Sequence, residues 1–308
     1  MIKGCISVII PTKDRKSYLK QAIESVEKQR DVNVEIVVID DGSTDGTLDF
    51  LRTKRVKVLS GNGGPGKNRK KAVDFINGEF VIFLDDDDYY TNVSFFKKAI
   101  DIFNKNSSVS AVMFNTETYY QYDNTNNAPH DFLYEGFQRG SDVLEGFMTK
   151  YQKPQSTFST MFSVEKLRDG NIAAMKTLND TQIYLRSFTC GDAYFVNEVA
   201  GRYRIHNRSI GNFLAVDFII DNLDEKIRIA DVLPTHINHS KWLQTQLLIT
   251  LEYYAARSNV FDNRSIKIWL SKLDSQMAKS LWRSVKYERT KRRIRTLLNR
   301  KNVWQREA

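Results

Sequence analysis

The sequence predicts an α/β chain in which a mainly parallel sheet is covered by helices, followed by a helical extension. Three observations carry this. Across residues 1–110, short β-branched runs alternate with stretches at helical spacing. Several of those runs stop abruptly at polar or acidic residues. From about residue 215 the apolar residues recur at helical intervals alone.

The elements follow in order. ISVIIP (6–11) is a short apolar run closed by proline, which reads as a buried strand. Leu19, Ala22, Ile23 and Val26 then fall at helical spacing. VEIVVIDD (34–41) is a strand ending in two acids, and Ser43 or Thr44 is placed to cap the helix of Leu48 and Leu51. VKVLS (56–60) is another strand. The turn GNGGPG (61–66) leads into a helix with Ala72, Val73 and Ile76, and Gly78 suits its C-terminal cap. EFVIFLDDDD (79–88) is a strand ending in four acids, and Thr91 precedes a helix with Val93, Phe96, Ile100 and Phe103. Alternation of this kind implies a parallel sheet, in which ligands bind beyond the carboxyl ends of the strands. Thr12, the pair Asp40–Asp41 and the run Asp85–Asp88 all fall at that edge.

Residues 109–213 look mixed, with strands expected at 109–122 and 156–163 and a helix from Ser141. Further on, Pro234 separates two helical stretches, and Ile266, Trp269, Leu270, Leu273, Met277 and Leu281 form one apolar stripe. A boundary is expected between 1–213 and 214–308, the first part dividing near residue 110.

With 308 residues and 41% apolar content, the chain can bury one sizeable core and a smaller unit. No apolar run reaches 18 residues, so no membrane-spanning helix is expected. The start lacks the pattern of a signal peptide, and Cys5 and Cys190 are too few for a disulfide framework. A cytoplasmic protein with reduced thiols is the expectation, both cysteines being packing residues. The net charge of +9 resides in residues 283–306, where ten Lys or Arg face one Glu; the remainder is neutral.

The chemistry-bearing residues cluster at the sheet edge. Adjacent carboxylates in Asp85–Asp88 repel one another unless a cation neutralises them, and Mg²⁺ or Mn²⁺ bound jointly with substrate phosphates is the usual remedy. The plainer alternative is a solvated acidic loop. GNGGPGKNRKK places glycine turns and cations before a helix, a setting that attracts phosphate. It is neither a Walker motif nor GxGxxG, and Lys67, Lys70 and Lys71 alone would make an ordinary solvated helix face.

Taken together, ISVIIPTKDR, VVIDDGSTDGT, NGGPGKNR and FLDDDD resemble the inverting glycosyltransferase family 2, which has the GT-A (Rossmann-like) fold. KTLNDTQIYLRSF (176–188) and YRIHNRSIG (203–211) extend the likeness to about two thirds of the chain. The resemblance implies a nucleotide-sugar half near 1–110 and an acceptor half near 111–213. It implies that Pro11 and Thr12 line the uracil and ribose pocket, with Asp41 on the base and Asp40 supporting it. Asn62 and Arg69 would hold the nucleotide side, and Asp85 and Asp86 would face ribose and sugar. Asp87 would bind Mn²⁺ or Mg²⁺, His206 would complete the metal or diphosphate site, and Asp180 would be the general base. Asp14, Lys70 and Asn179 depart from the usual Asn, Asn and Glu, which puts the donor sugar in doubt. Alternatives stay open: Asp180 as a plain helix N-cap, His206 as a structural or surface histidine, and Asp45 as a turn or cap residue.

The function expected is transfer of a sugar, most simply from a UDP-sugar, to a hydroxyl of a glycan, a lipid-linked oligosaccharide or a teichoic-acid-like polymer. Lacking the Gln-x-x-Arg-Trp stretch and the transmembrane helices of processive synthases, the chain is expected to add one or a few sugars. Two rivals are a nucleotidyltransferase built on a similar acidic edge and a nucleic-acid-binding protein using the basic tail. The neutrality of 1–282 speaks against nucleic acid. The tail suits a helix on anionic lipid, giving a peripheral membrane protein, or a solvated or oligomer-forming helix.

Overall fold

A computed structural model describes residues 1–129, 131–206, 215–258 and 260–304, with side chains described to 294. Its elements, in chain order, are β1 (Ile2–Thr12), α1 (Lys16–Glu27), β2 (Asn33–Asp40), α2 (Thr47–Arg52), β3 (Lys57–Ser60), α3 (Gly64–Val73), β4 (Gly78–Phe83), β5 (Tyr89–Tyr90), α4 (Phe95–Lys105) and β6 (Val109–Tyr120). There follow β7 (Thr125–Asn127), β8 (Gly136–Gln138), α5 (Gly140–Glu145), β9 (Thr160–Ser163), α6 (Val164–Asp169), α7 (Asp180–Phe188) and β10 (Asp192–Ile205). The helices α8 (Val216–Ala230), α9 (His239–Arg257), α10 (Asn263–Leu270) and α11 (Ser275–Trp304) complete the chain.

The strands order as β3-β2-β1-β4-β9-β6-β10-β5, with β7 on β6 and β8 on β10. The pairs β1/β2, β1/β4, β2/β3 and β6/β10 are parallel. Strand β9 runs antiparallel between β4 and β6, and β5 runs antiparallel to β10. The fold is therefore mixed α/β with a parallel half, as the alternating pattern of the first 110 residues predicts. Ile6, Val8, Ile9 and Ile10 of β1 are fully buried, which explains a continuous rather than alternating apolar run: helices cover both faces. Main-chain bonds prolong the pairing at the carboxyl edge, where Asp41 N donates to Thr12 O at 2.9 Å and Leu84 N to Ile9 O at 3.0 Å. The register sets Thr12 beside Asp40.

Several local expectations are corrected. The helix after β2 is capped not by Ser43 or Thr44 but by the Asp45–Gly46 turn: Gly46 takes φ 81°, and Asp45 Oδ1 accepts from Thr47 N at 3.1 Å. Left-handed backbone of that kind suits glycine. Gly78 caps nothing; α3 ends at Val73, short of Ile76, and Gly78 starts β4 against Ser7 and Cys5, where a Cβ would fall 2.6–2.8 Å from their atoms. The strand expected at 156–163 shortens to β9, preceded by a tight turn at Thr157–Ser159. Ser159 Oγ donates to Ser156 O at 3.3 Å, a local bond that competes with a ladder, while Thr157 Oγ1 ties the turn to Phe83 O of β4 at 3.1 Å. The single stripe at 266–281 is two helices, because Asp274 accepts from Gln276 N and Met277 N at 3.0 and 2.9 Å and begins α11.

The chain forms two compact units, Met1–Asn207 and Arg208–Ala308. The boundary expected at 213/214 lies outside the described residues. In the second unit Leu223, Leu247, Leu251, Tyr254, Trp269 and Leu281 form a buried core, and Trp269 Nε1 donates to Asp224 Oδ1 at 2.6 Å.

Candidate active site

The ends of β1, β2 and β4 meet at one edge, and the turn of four acids follows β4. Its carboxylates are held differently. Asp86 is 4% exposed; it accepts from Thr12 Oγ1 at 2.7 Å and from Arg15 Nη1 at 3.0 Å. Burial, then the neighbouring Asp87, push its carboxyl up to about 7 against the opposing pull of Arg15. Asp87 Oδ2 receives Arg15 Nη1 and His206 Nε2, each at 2.9 Å. Tyr18 of α1 stacks on the His206 ring with centroids 5.3 Å apart. Asp88, 1% exposed, accepts from Arg204 N at 3.0 Å. Burial, then Asp87 and Asp85, drive its carboxyl well above the usual range; the bond to Arg204 N ties the acidic turn to β10 two residues before His206.

Asp85 pairs with Arg69 of α3, whose Nη1 also donates to Asp180 Oδ1 at 2.9 Å. The Arg69 side chain is 6% exposed. Burial by itself would lower its pKa, but Asp85 and Asp180 outweigh burial and raise it, so it stays charged. Burial raises the Asp85 carboxyl, Arg69 opposes this, and Asp180 and Asp87 add to the rise. Asp180 is the first residue of α7. The cap is Asn179, whose side chain accepts from Gln182 N at 3.2 Å, so the plain N-cap reading of Asp180 falls. One helical turn along, Tyr184 is buried with its hydroxyl 2.6 Å from Thr160 Oγ1, and Lys153 Nζ lies 5.9 Å from its ring centroid.

At β2, Asp40 is buried and accepts from Gly42 N and Ser43 N at 3.2 and 3.0 Å. Asp41 accepts from Gly63 N and Gly64 N at 3.0 and 3.1 Å, clamping the glycine turn at the start of α3. Pro11 is buried opposite Ile39, and Asn62 is exposed on the glycine turn. Beneath that turn, Asn68 is 2% exposed and packs against Gly61, where a Cβ would fall 2.6 Å from its amide. The structure thus gathers Thr12, Asp85, Asp86, Asp87, Arg69, Asp180 and His206 through hydrogen bonds and ion pairs, and places Asp40, Asp41 and Asn62 at the neighbouring turn. Residues 207–211 of the later motif lie outside the described residues.

The sequence reading missed Arg15, although it closes the motif ISVIIPTKDR, and also missed Lys153. Nothing in a linear pattern shows that Arg15 turns onto acids 71 and 72 positions away.

The residues fit a divalent cation of the Mg²⁺ or Mn²⁺ type. Two ligand atoms of suitable chemistry, Asp87 Oδ2 and His206 Nε2, converge at 2.9 Å beside the carboxylates of Asp85, Asp86 and Asp88. Among the described residues no group of three or more such side chains forms a cage. An ion of this kind commonly takes one or two protein ligands and completes its shell with water and substrate phosphate.

The parallel half-sheet, acidic edge and glycine turn define a glycosyltransferase of the GT-A architecture. The family described as Glycosyl transferase family 2 matches residues 7–166, and the chain belongs to it. TarS of Staphylococcus aureus, named a poly(ribitol-phosphate) beta-N-acetylglucosaminyltransferase, is 40% identical over 92 residues, covering 27% of this chain and 16% of that protein. A Campylobacter jejuni protein, named GalNAc(5)-diNAcBac-PP-undecaprenol beta-1,3-glucosyltransferase, is 38% identical over 91 residues, covering 27% of this chain and 29% of its own length. The chain therefore matches less than a third of either relative. The crystal structure of S. aureus TarS 1–349 in complex with UDP-GlcNAc superposes with a TM-score of 0.67 at 19% identity, covering 94% of this chain and 90% of that one, which shows a shared fold.

Proposed function

We propose that the chain is a metal-dependent, inverting glycosyltransferase. It would move a hexosyl or N-acetylhexosaminyl group from a UDP-sugar to a hydroxyl of a glycan, lipid-linked or teichoic-acid-like acceptor. The observation that carries the reading is Arg69, which joins Asp85 on the donor edge to Asp180 at the start of α7. The names of the two relatives support the acceptor classes, one being a poly(ribitol-phosphate) and the other an undecaprenol-linked glycan.

In this reading Asp87 and His206 hold Mn²⁺ or Mg²⁺, which offsets negative charge on the diphosphate. Asp41 and Asn62, with Pro11 and Thr12, form the nucleoside pocket, and Asp40 stiffens the turn beneath it. Asp85 and Asp86 face the ribose and the sugar. Arg69 orients Asp180 and adds fixed positive charge near the leaving group. Asp180 takes the proton of the acceptor hydroxyl as its oxygen attacks the anomeric carbon and the bond to the diphosphate breaks. One displacement inverts the anomeric centre, and the nucleoside diphosphate leaves.

Residues 283–304 of the basic stretch belong to α11, where Tyr287 and Ile294 are 66% and 52% exposed. We read it as a peripheral membrane contact for a lipid-linked acceptor; a homo-oligomer contact is the competing use. No helix among the described residues is long and apolar enough to cross a membrane.

The test is a panel of UDP-sugars with Mn²⁺ and an acceptor preparation, with free UDP and inorganic diphosphate measured separately. Metal-dependent release of UDP supports the reading. Release of inorganic diphosphate would mark a nucleotidyltransferase instead.

A further inference from the structure

Arg15 sits in the tight turn between β1 and α1, and three contacts with the loop after β2 fix that turn. Asp14 takes φ 51°, a left-handed value that Asn and Asp tolerate. Its N–H donates to Ser43 Oγ at 2.9 Å, and its Oδ1 accepts from Thr44 N at 2.7 Å. Lys16 N donates to Asp45 Oδ2 at 2.9 Å. Flanked by these anchors, the Arg15 side chain is 20% exposed and spans the acids: Nη1 lies 3.0 Å from Asp86 Oδ1 and 2.9 Å from Asp87 Oδ2. The second oxygen is the one that His206 Nε2 also meets at 2.9 Å.

We propose that Arg15 is the built-in counter-cation of this acidic edge, one that a divalent ion has to displace from Asp87. The proposal rests on the reading of Asp87 as a metal ligand. A positive group 2.9 Å from a ligand oxygen competes directly with a dication for that oxygen. Arg15 is always charged, so pH does not release it. A nucleoside diphosphate releases it, since a guanidinium freed from one anion pairs well with a phosphate beside it. Metal and nucleotide are then coupled: the ion binds poorly alone, and each strengthens the other by the same factor. The device keeps the site closed to free cations and reserves the ion for donor-loaded protein.

The experiment measures Mn²⁺ binding to the full chain by the EPR signal of free Mn²⁺, without nucleotide and with saturating UDP. In wild type, UDP is expected to tighten Mn²⁺ binding by about 5- to 150-fold. In Arg15→Gln, Mn²⁺ alone is expected to bind at least about 5-fold more tightly than in wild type, and the coupling to UDP should shrink toward unity. Arg15→Lys keeps the charge but replaces the planar guanidinium, whose Nη1 meets both carboxylates, with a more strongly hydrated ammonium, and should fall between the two. Unchanged or weaker binding of Mn²⁺ alone in both variants, at unchanged circular dichroism, overturns the proposal. Asp87→Ala separates this from the underlying reading. If it leaves Mn²⁺ binding intact, Asp87 is no ligand and the metal assignment itself fails; if it abolishes binding while the Arg15 variants match wild type, only the role of Arg15 is lost.

Discussion

Arg69 Nη1 stands 2.9 Å from Asp180 Oδ1, joining the middle of α3 to the start of α7 across 111 positions of sequence. The same guanidinium pairs with Asp85. One nearly buried cation therefore fixes the spacing between the donor edge and the proposed base, and its loss would leave two acids facing each other.

Asp180→Asn should reduce sugar transfer by about 10²- to 10⁴-fold, the usual contribution of a positioned general base. UDP affinity by calorimetry should stay within about 3-fold, since the group faces the acceptor. A variant that lost UDP binding as badly as turnover would remove Asp180 from the base role.

Asp87→Ala should abolish metal-dependent release of UDP in a chain that still folds by circular dichroism, with a lowered melting temperature because Arg15 and His206 lose their shared partner. Treatment of wild type with EDTA should give the same loss, restored by Mn²⁺. Near-normal turnover by EDTA-treated Asp87→Ala would contradict the assignment.

Gly201→Ala tests how β5 supports the site. A Cβ there would fall 2.2 Å from Tyr89 O and 2.8 Å from Tyr90 Cα, both backbone. The β5–β10 pairing must open, at about 1–3 kcal/mol. Because the same strands hold Asp88 against Arg204 N, UDP-dependent Mn²⁺ binding should weaken along with the melting temperature. A variant with unchanged stability would show that the strands separate freely.

Lys226 gives a pH test in the second unit. It is 2% exposed, donates to Gln246 O at 2.8 Å and to Thr250 Oγ1, and burial lowers its pKa to about 7. The folded pKa lies below the ordinary 10.5, so the unfolded chain binds more protons between pH 7 and 10.5. The cost of burial is therefore full below pH 7 and is relieved as pH rises. Lys226→Met should be more stable than wild type by about 1–3 kcal/mol at pH 6, with the difference shrinking by pH 10. All four tryptophans lie at 242–304, so fluorescence in denaturant reads this unit. A difference that grew with pH would reverse the sign and refute the account.

The basic helix is tested with vesicles of anionic lipid. Full-length chain should bind them at low salt, release at high salt, and lose binding when 283–308 is deleted. Dissociation of an oligomer by that deletion, with no vesicle binding beforehand, would favour the competing use.

Much was legible in the sequence, for local reasons. Buried parallel strands must be apolar on both faces, so β1, β2 and β4 stand out as uninterrupted runs, and the residues that follow them, Thr12, Asp40–Asp41 and Asp85–Asp88, must share one edge. Ordered motifs extended this to Arg69, Asp180 and His206. Local competition was harder to see. The Ser159 hydroxyl bonds the Ser156 carbonyl where a strand was expected to run, and Asp274 split one apolar stripe into two helices. Tertiary structure alone decided which cation meets which acid. Arg69 could have been a solvated helix residue, Arg15 carries no periodic signal, and Asp88 looks the same as Asp87 in the sequence. Their separate roles come from burial and from distances of about 3 Å, which arise only when β1, α3, α7 and β10 pack together. Linear order prescribes the residue types at the edge; the electrostatic partition among them depends on a geometry that sequence spacing does not encode.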